Sequence, residues 1–284
     1  MRCAVCGAGS PRLKHHVAEA EIFRCGRCGL EFWNPAPGFR AEEVYDAAYF
    51  SDASAGHGYD DYADLESVLR LNFARRLARI PRSPHAGRLL DIGAAFGFAV
   101  AEARCAGWDA TGIEISVAAA RRAGTAAPGR VLVANALHTP FAAAAFDVVT
   151  LWDVLEHLSD PHAAIAEVAR LLRPGGRLAL TTGDVGSLAA RLSGARWHLY
   201  TLPEHLFFFS RRSLRELLGA HGLRVESVRA ESSLYTAGYL VERLRKTLLG
   251  KPRTRTGAWP GAALRVPLNL FDIVTVQAVA VGSP

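Results

Sequence analysis

The sequence predicts an α/β fold on a mostly parallel sheet, preceded by a small cysteine-bearing module. Three observations carry that expectation. Apolar Arg88 to Ile92 reads as a buried strand, and the alanine-rich run from Ala94 to Ala106 reads as the helix it feeds. Further aliphatic strand tips follow, ending at Glu114, running from Val131, running from Phe146 and entered from Leu171. Ahead of them all stand two Cys-x-x-Cys pairs.

The first strand tip carries most of the chemistry. In Leu89-Leu-Asp-Ile-Gly-Ala-Ala-Phe-Gly97 the glycines let backbone approach a ligand at a helix N-terminus. A carboxylate about 20 residues on, Glu114, is placed at the next strand tip to grip a ribose diol. A nucleoside-bearing cofactor is therefore expected. The spacing is Gly93-x-x-x-Gly97, with Ala95 where a third glycine would fall, so it is not the dinucleotide fingerprint. A strand-to-helix turn with purely structural glycines would read the same.

The continuation decides between these. Val131-Leu-Val-Ala-Asn-Ala precedes Thr139-Pro-Phe; Phe146-Asp-Val-Val-Thr-Leu-Trp-Asp-Val-Leu-Glu-His-Leu and Leu171-Leu-Arg-Pro-Gly-Gly-Arg-Leu-Ala-Leu-Thr-Thr follow. In this order the elements resemble the class I S-adenosylmethionine-dependent methyltransferases, over roughly residues 60 to 230. The resemblance implies a Rossmann-like, seven-stranded, mostly parallel sheet. Its antiparallel seventh strand, here Asp272 to Ala280, would insert beside the sixth, Gly222 to Glu231. It also implies S-adenosylmethionine as cofactor. Asp91, Gly93 and Gly97 match the motif that cradles the methionine part, and Glu114 matches the acid on the ribose hydroxyls. Asn135, followed by Ala136, stands where the family has aspartate beside the adenine; its amide can still accept and donate there. A turn or helix N-cap role for Asn135 reads equally well. Ala95 places a methyl group toward the pocket.

The cysteines form the second signal. Cys3-x-x-Cys6 and Cys25-x-x-Cys28, 18 residues apart, have the spacing of a four-thiolate zinc ribbon. Gly7 and Gly29 after each pair suit the tight turns that aim two sulfurs at one ion. Disulfides and a redox pair compete, the first against a reducing interior, the second needing only one pair. Four thiolates close the tetrahedron, so the Zn2+ is read as structural. Cys105 reads as plain core.

Organisation follows: a ribbon over 1–34, a linker with N-terminal helices over 35–80, and a catalytic domain over 81–284 with an insert at about 232–270. Asn34-Pro-Ala-Pro-Gly38 is the exit from the ribbon. Glu42 to Tyr62 reads as a short helix and loop, either a flap across the cleft or a surface connector. Leu65, Val68, Leu69, Leu71 and Leu77 recur near helical spacing in Asp64 to Ile80. Within the insert, Leu240, Val241, Leu244, Leu248 and Leu249 interleave with Arg243, Arg245, Lys246 and Lys251. Residues 234–251 are read as a basic amphipathic helix, a lid or a peripheral membrane or acidic-partner contact.

Of 284 residues half are hydrophobic, yet no run of 18 uncharged apolar residues occurs, so no spanning helix is indicated. Without a signal-peptide pattern at the N-terminus, a cytoplasmic location is expected. The net charge of +6 is dispersed, with no block of five like charges, which disfavours nucleic acid. A phosphate-bearing small substrate, such as a nucleotide- or carrier-linked sugar, explains mild basicity equally well.

Catalytic candidates come from two loops. Asp153-x-x-Glu156-His157 closes the fourth strand, and an O-methyl transfer needs a base that neutral histidine supplies. The stretch is similar to one in ubiquinone-pathway O-methyltransferases, where these positions are tied to a divalent ion, so Mg2+ is weighed. After the fifth strand, Trp197, His198, Tyr200, Glu204 and His205 gather on a loop suited to a sugar or aromatic acceptor. Trp197, His198, Tyr200 and Glu204 are read as substrate residues, His157 and His205 as candidate bases. Phe207, Phe208 and Phe209 read as core.

The whole layout resembles zinc-ribbon-bearing methyltransferases of bacterial glycan and natural-product synthesis. The leading expectation is O-methylation of a sugar, glycan precursor or secondary metabolite. Competing are C-methylation of a nucleotide-linked sugar, rRNA methylation with the ribbon (Arg24, Arg27) gripping RNA, and a non-catalytic binding module. The sequence names neither the acceptor nor an oligomeric state.

Overall fold

The computed structural model describes residues 1–35, 39, 44, 65–81, 87–241 and 263–281. The chain opens with an antiparallel sheet of β1 (Arg12–Val17), β2 (Ala20–Arg24) and β3 (Glu31–Trp33). One tight turn precedes β1 and another joins β2 to β3, closed by Gly7 N–H to Cys3 O at 3.1 Å and Gly29 N–H to Cys25 O at 3.0 Å. Both glycines have positive φ, which a side chain would resist.

Helix α1 (Glu66–Leu77) packs before the main sheet, burying Val68, Phe73 and Leu77 together with polar Asn72 and Arg76. Then β4 (Arg88–Ile92), α2 (Phe98–Cys105), β5 (Asp109–Glu114), α3 (Val117–Ala123) and β6 (Val131–Val133) alternate. They continue into β7 (Phe146–Trp152), α4 (Pro161–Leu171) and β8 (Leu172–Gly183). Local chemistry sets the helix starts: Ser116 accepts from Ala119 N–H to cap α3, and Asp160 caps α4 ahead of Pro161. The short α5 (Leu188–Ser193), β9 (Phe207–Phe208) and α6 (Arg211–Ala220) lead to β10 (Leu223–Ala230). Strands β11 (Ser233–Thr236) and β12 (Arg265–Leu268) pair with each other, and β13 (Ile273–Ala280) ends the fold.

The main sheet has the order β10-β13-β8-β7-β4-β5-β6, with β13 antiparallel to both neighbours. This is the expected seven-stranded topology. Central β4 and β7 and the Leu178–Thr182 part of β8 are almost wholly buried, as parallel strands covered on both faces must be. Their carboxyl ends, with the loops that follow, bring the candidate residues together.

Some expectations are corrected. Helix α2 starts at Phe98, because Ala94 to Gly97 form a turn with positive φ at Ala95 and Gly97. Cys105 is exposed at the end of α2 and is not core. The insert opens as strand β11, so 234–236 are not part of a helix, and it is helical from 237 to the last described residue, 241. The basic residues expected beyond 241, and the segment Glu42 to Tyr62, lie outside the described residues. Among the described residues no helix is long and apolar enough to cross a membrane. The cysteine-bearing sheet is also not separate: β9 pairs with β3 and makes it four-stranded.

Candidate active site

Two carboxylates lie at the tips of β4 and β5. Asp91 is 2% exposed and accepts the Thr150 hydroxyl at 2.6 Å. Glu114, 6% exposed, accepts the backbone N–H groups of Ala95 and Ser116, each at 2.9 Å. Among the described residues neither has an ion-pair partner. Burial, reinforced by the charge of Glu114, pushes the Asp91 carboxyl up to about 7. Burial also raises Glu114, against its backbone hydrogen bonds.

The intervening loop is shaped by protein contacts. A Cβ at Gly93 would lie 2.5 Å from Val154, and one at Gly97 would lie 3.1 Å from Ala123. So the two glycines reflect packing and positive φ as well as any approach by a ligand. Ala95 tolerates φ +45° while its methyl joins a buried apolar cluster. Its N–H is what holds Glu114. Asn135 receives Leu137 N–H on its side-chain oxygen at 2.8 Å, the turn role. Ala136 follows, half-buried in the same turn.

Val154 links this loop to a one-turn helix, Leu155–His157. There Glu156, His157 and His205 place their ligand atoms within 4.8 Å of one another. His157 Nδ1 lies 3.0 Å from Glu204 O, and His205 Nδ1 lies 2.8 Å from Leu199 O. Each carbonyl can only accept, so each contact is made by an Nδ1 that carries a proton. The rings meet edge to face at 4.6 Å between centroids. Burial lowers His157 to about 4 and His205 to about 3, the latter helped by its neighbour. The same burial pushes Glu156 up to about 8, with Asp153 adding repulsion. Its Oε2 is buried without a hydrogen-bond partner.

The four cysteines gather independently. Cys3 Sγ and Cys28 Sγ are 3.5 Å apart, as are Cys6 and Cys25. All four sulfurs lie within 4.8 Å. These separations exceed the ~2.05 Å of a disulfide and approach the edge of a tetrahedron with ~2.3 Å metal–sulfur bonds. The cluster is compatible with a zinc ribbon.

A family model described as a methyltransferase domain matches residues 64–228. The chain belongs to this methyltransferase family. The 27-O-demethylrifamycin SV methyltransferase of Amycolatopsis mediterranei is 39% identical over 134 residues, 44% of this chain and 49% of that enzyme. The match thus spans about half the length of that relative. The ubiquinone biosynthesis O-methyltransferase of Mesorhizobium japonicum is 28% identical over 227 residues, 74% of this chain and 83% of that enzyme. In fold the chain is similar to the geranyl diphosphate C-methyltransferase of Streptomyces coelicolor A3(2). The TM-score is 0.56 at 19% identity, covering 86% of this chain and 100% of that one.

The protein is therefore an S-adenosylmethionine-dependent methyltransferase, and its acid pair fits that cofactor. Two buried carboxylates without a basic partner suit a ligand that carries a sulfonium and an ammonium. Glu114 spends one lone pair of each oxygen on backbone and keeps others for hydroxyl donors.

Other sequence-predicted residues of the methyltransferase fall differently. Asp153 leaves the proposed ion site for Arg76, 3.4 Å away, and His205 takes its place. Two imidazoles and an acid held neutral near pH 7 do not fit magnesium, which prefers several oxygen ligands. Trp197 is 2% exposed and donates to Asp272 at 2.9 Å. Tyr200 is buried and donates to Glu31 of β3 at 2.5 Å. Glu204 is buried and offers its carbonyl to His157. Trp197 and Tyr200 hold the loop in place, because their cluster with Ile22, Val185 and Phe208 gains more from burial than from exposure. His198 lines a cavity beside Asp272. Phe207, Phe208 and Phe209 are core as expected.

Sequence reasoning missed Arg76. It lies 6% exposed between the rings of Phe73 and Trp152, at 5.9 and 5.6 Å. Its contacts reach Asp153, Ser233 and Glu231. An arginine on the apolar side of a helix pattern was the available signal.

Proposed function

We propose that this methyltransferase methylates an oxygen of a small-molecule acceptor, with the His157–His205 pair taking the hydroxyl proton. The carrying observation is the half-buried imidazole pair, His157 on a turn whose Val154 packs against the Gly93 loop and His205 edge to face against His157. Bound S-adenosylmethionine supplies an electrophilic methyl group on a cationic sulfur. Asp91 is assigned to the ammonium end, Glu114 to the ribose hydroxyls and Asn135 with Ala136 to the adenine side. Burial keeps both imidazoles unprotonated throughout the physiological range, ready to accept. Holding the acceptor in line contributes independently of any base.

O-methyltransferases among the relatives support transfer to oxygen, acting on a metabolite such as a sugar or aromatic compound. We assign a structural Zn2+ to Cys3, Cys6, Cys25 and Cys28, and the ribbon at 1–34 to a supporting unit that shares its sheet with the catalytic domain at 81–284. The test is mass spectrometry of products from a panel of phenols and sugars with the purified protein and cofactor. An O-methylated product, lost by about 100-fold or more in His157→Gln or His205→Gln with cofactor affinity retained, is the expected result. Products methylated only on carbon or nitrogen would overturn it.

A further inference from the structure

A cavity of about 240 Å³ opens where β10 ends, β13 begins and the β11–β12 hairpin closes over both. It is smaller than the ~300–1,000 Å³ of drug-sized sites, so it holds about one substituted ring. The rings of Tyr235 and Tyr239 line it, stacked 8° from parallel with centroids 5.6 Å apart. Leu240, Leu268 and Ile273 add aliphatic wall. A flat apolar box of this kind favours the face of a ring.

Its polar groups exclude anions. Asp272 and Glu231 both line the cavity, and among the described residues no lysine or arginine does. Glu231 is already neutralised by Arg79 at 3.0 Å and Arg76 at 3.5 Å, and it accepts the Thr275 hydroxyl at 2.6 Å. Asp272 holds Trp197 and lies 3.5 Å from His198 Nδ1. Ser233 supplies a hydroxyl. Such a lining accepts hydroxyl hydrogens and repels a diphosphate.

Its position ties it to the histidines from two sides. Ser233 and Glu231 both touch Arg76, which reaches Asp153 ahead of the turn bearing His157. His198 directly precedes Leu199, whose carbonyl fixes His205. We infer that this cavity is the acceptor's ring subsite and selects an uncharged, hydroxylated ring. The inference rests on the reading of the protein as a small-molecule methyltransferase. It places the diphosphate of any nucleotide-linked sugar outside this subsite.

The test is calorimetric titration of the full chain, loaded with S-adenosylhomocysteine, using methyl gallate, methyl glucopyranoside and UDP-glucose. At least one neutral ring binds, and whichever binds better tells phenol from pyranose. Leu268→Trp, which fills the cavity, and Tyr239→Ala, which removes its wall, each weaken that ring tenfold or more. Cofactor affinity and melting temperature stay unchanged in both variants. Tighter binding of UDP-glucose than of both neutral rings, binding of neither ring, or rings indifferent to both variants would overturn the inference. Ring binding that obeys the variants without methyl transfer would leave the subsite standing and remove the catalytic reading instead.

Discussion

Removing one hydroxyl, by Tyr200→Phe, separates a structural from a substrate role for the loop after β8. Glu31 is fully buried and is held by Lys14 at 2.5 Å, Arg24 at 3.5 Å and the Tyr200 hydroxyl at 2.5 Å. The tyrosine contact alone serves Oε2, so the variant leaves a carboxylate oxygen buried and unserved. A hydrogen bond to a charged group is worth about 1.5–3 kcal/mol. Spread over a chain of this size, that is a fall of roughly 3–12 °C in melting temperature. Thermal unfolding followed by tryptophan fluorescence reads it, since Trp197 meets Tyr200 at 5.3 Å between centroids. The same bond joins β3 to the segment carrying His205, so kcat should fall more than the acceptor KM rises. An unchanged melting temperature with a raised KM would refute the reasoning and return Tyr200 to the acceptor site.

Further outcomes follow from the same geometry. Glu114→Gln should weaken cofactor binding about tenfold or more, from ~1.5–3 kcal/mol for a charged hydrogen bond, and unchanged affinity would remove the ribose assignment. Asp91, raised to about 7, must lose its proton to pair with a cation, so cofactor binding should tighten as pH rises toward 7 and release protons. In the cofactor-free protein this raised carboxyl contributes stability below its unfolded value near ~4, lost as pH rises through about 7. Calorimetry in two buffers of different ionisation enthalpy checks the proton release, and none between pH 5.5 and 7.5 would count against the pairing. With His157 lowered to about 4 and His205 to about 3, kcat should stay flat on the acid side until about pH 5. A break near ~6.5, the ordinary histidine value, would contradict their burial. Elemental analysis should find one zinc per chain, lost in Cys25→Ser together with the order of the ribbon; metal-free wild-type protein purified without chelator would exclude the site.

The family resemblance implied the seven-stranded topology and the antiparallel last strand; the sequence by itself determined the strands and the cysteine quartet. Each depends on local pattern: aliphatic runs for β4, β7 and β8, alternation for β10 and β13, and fixed spacing in each Cys-x-x-Cys. Spacing also picked out Glu114, and the resemblance added Asp91, because strand tips place side chains whatever surrounds them. Only the tertiary structure decided what the loop residues do. Trp197, Tyr200 and Glu204 share a composition suited to ligand binding, yet their partners Asp272, Glu31 and His157 are distant in sequence. Likewise, the pairing of β3 with β9, the replacement of Asp153 by His205 beside Glu156, and the seat of Arg76 are long-range contacts. Periodicity reports which face of an element is apolar; which partner that face meets is set by packing across the whole chain.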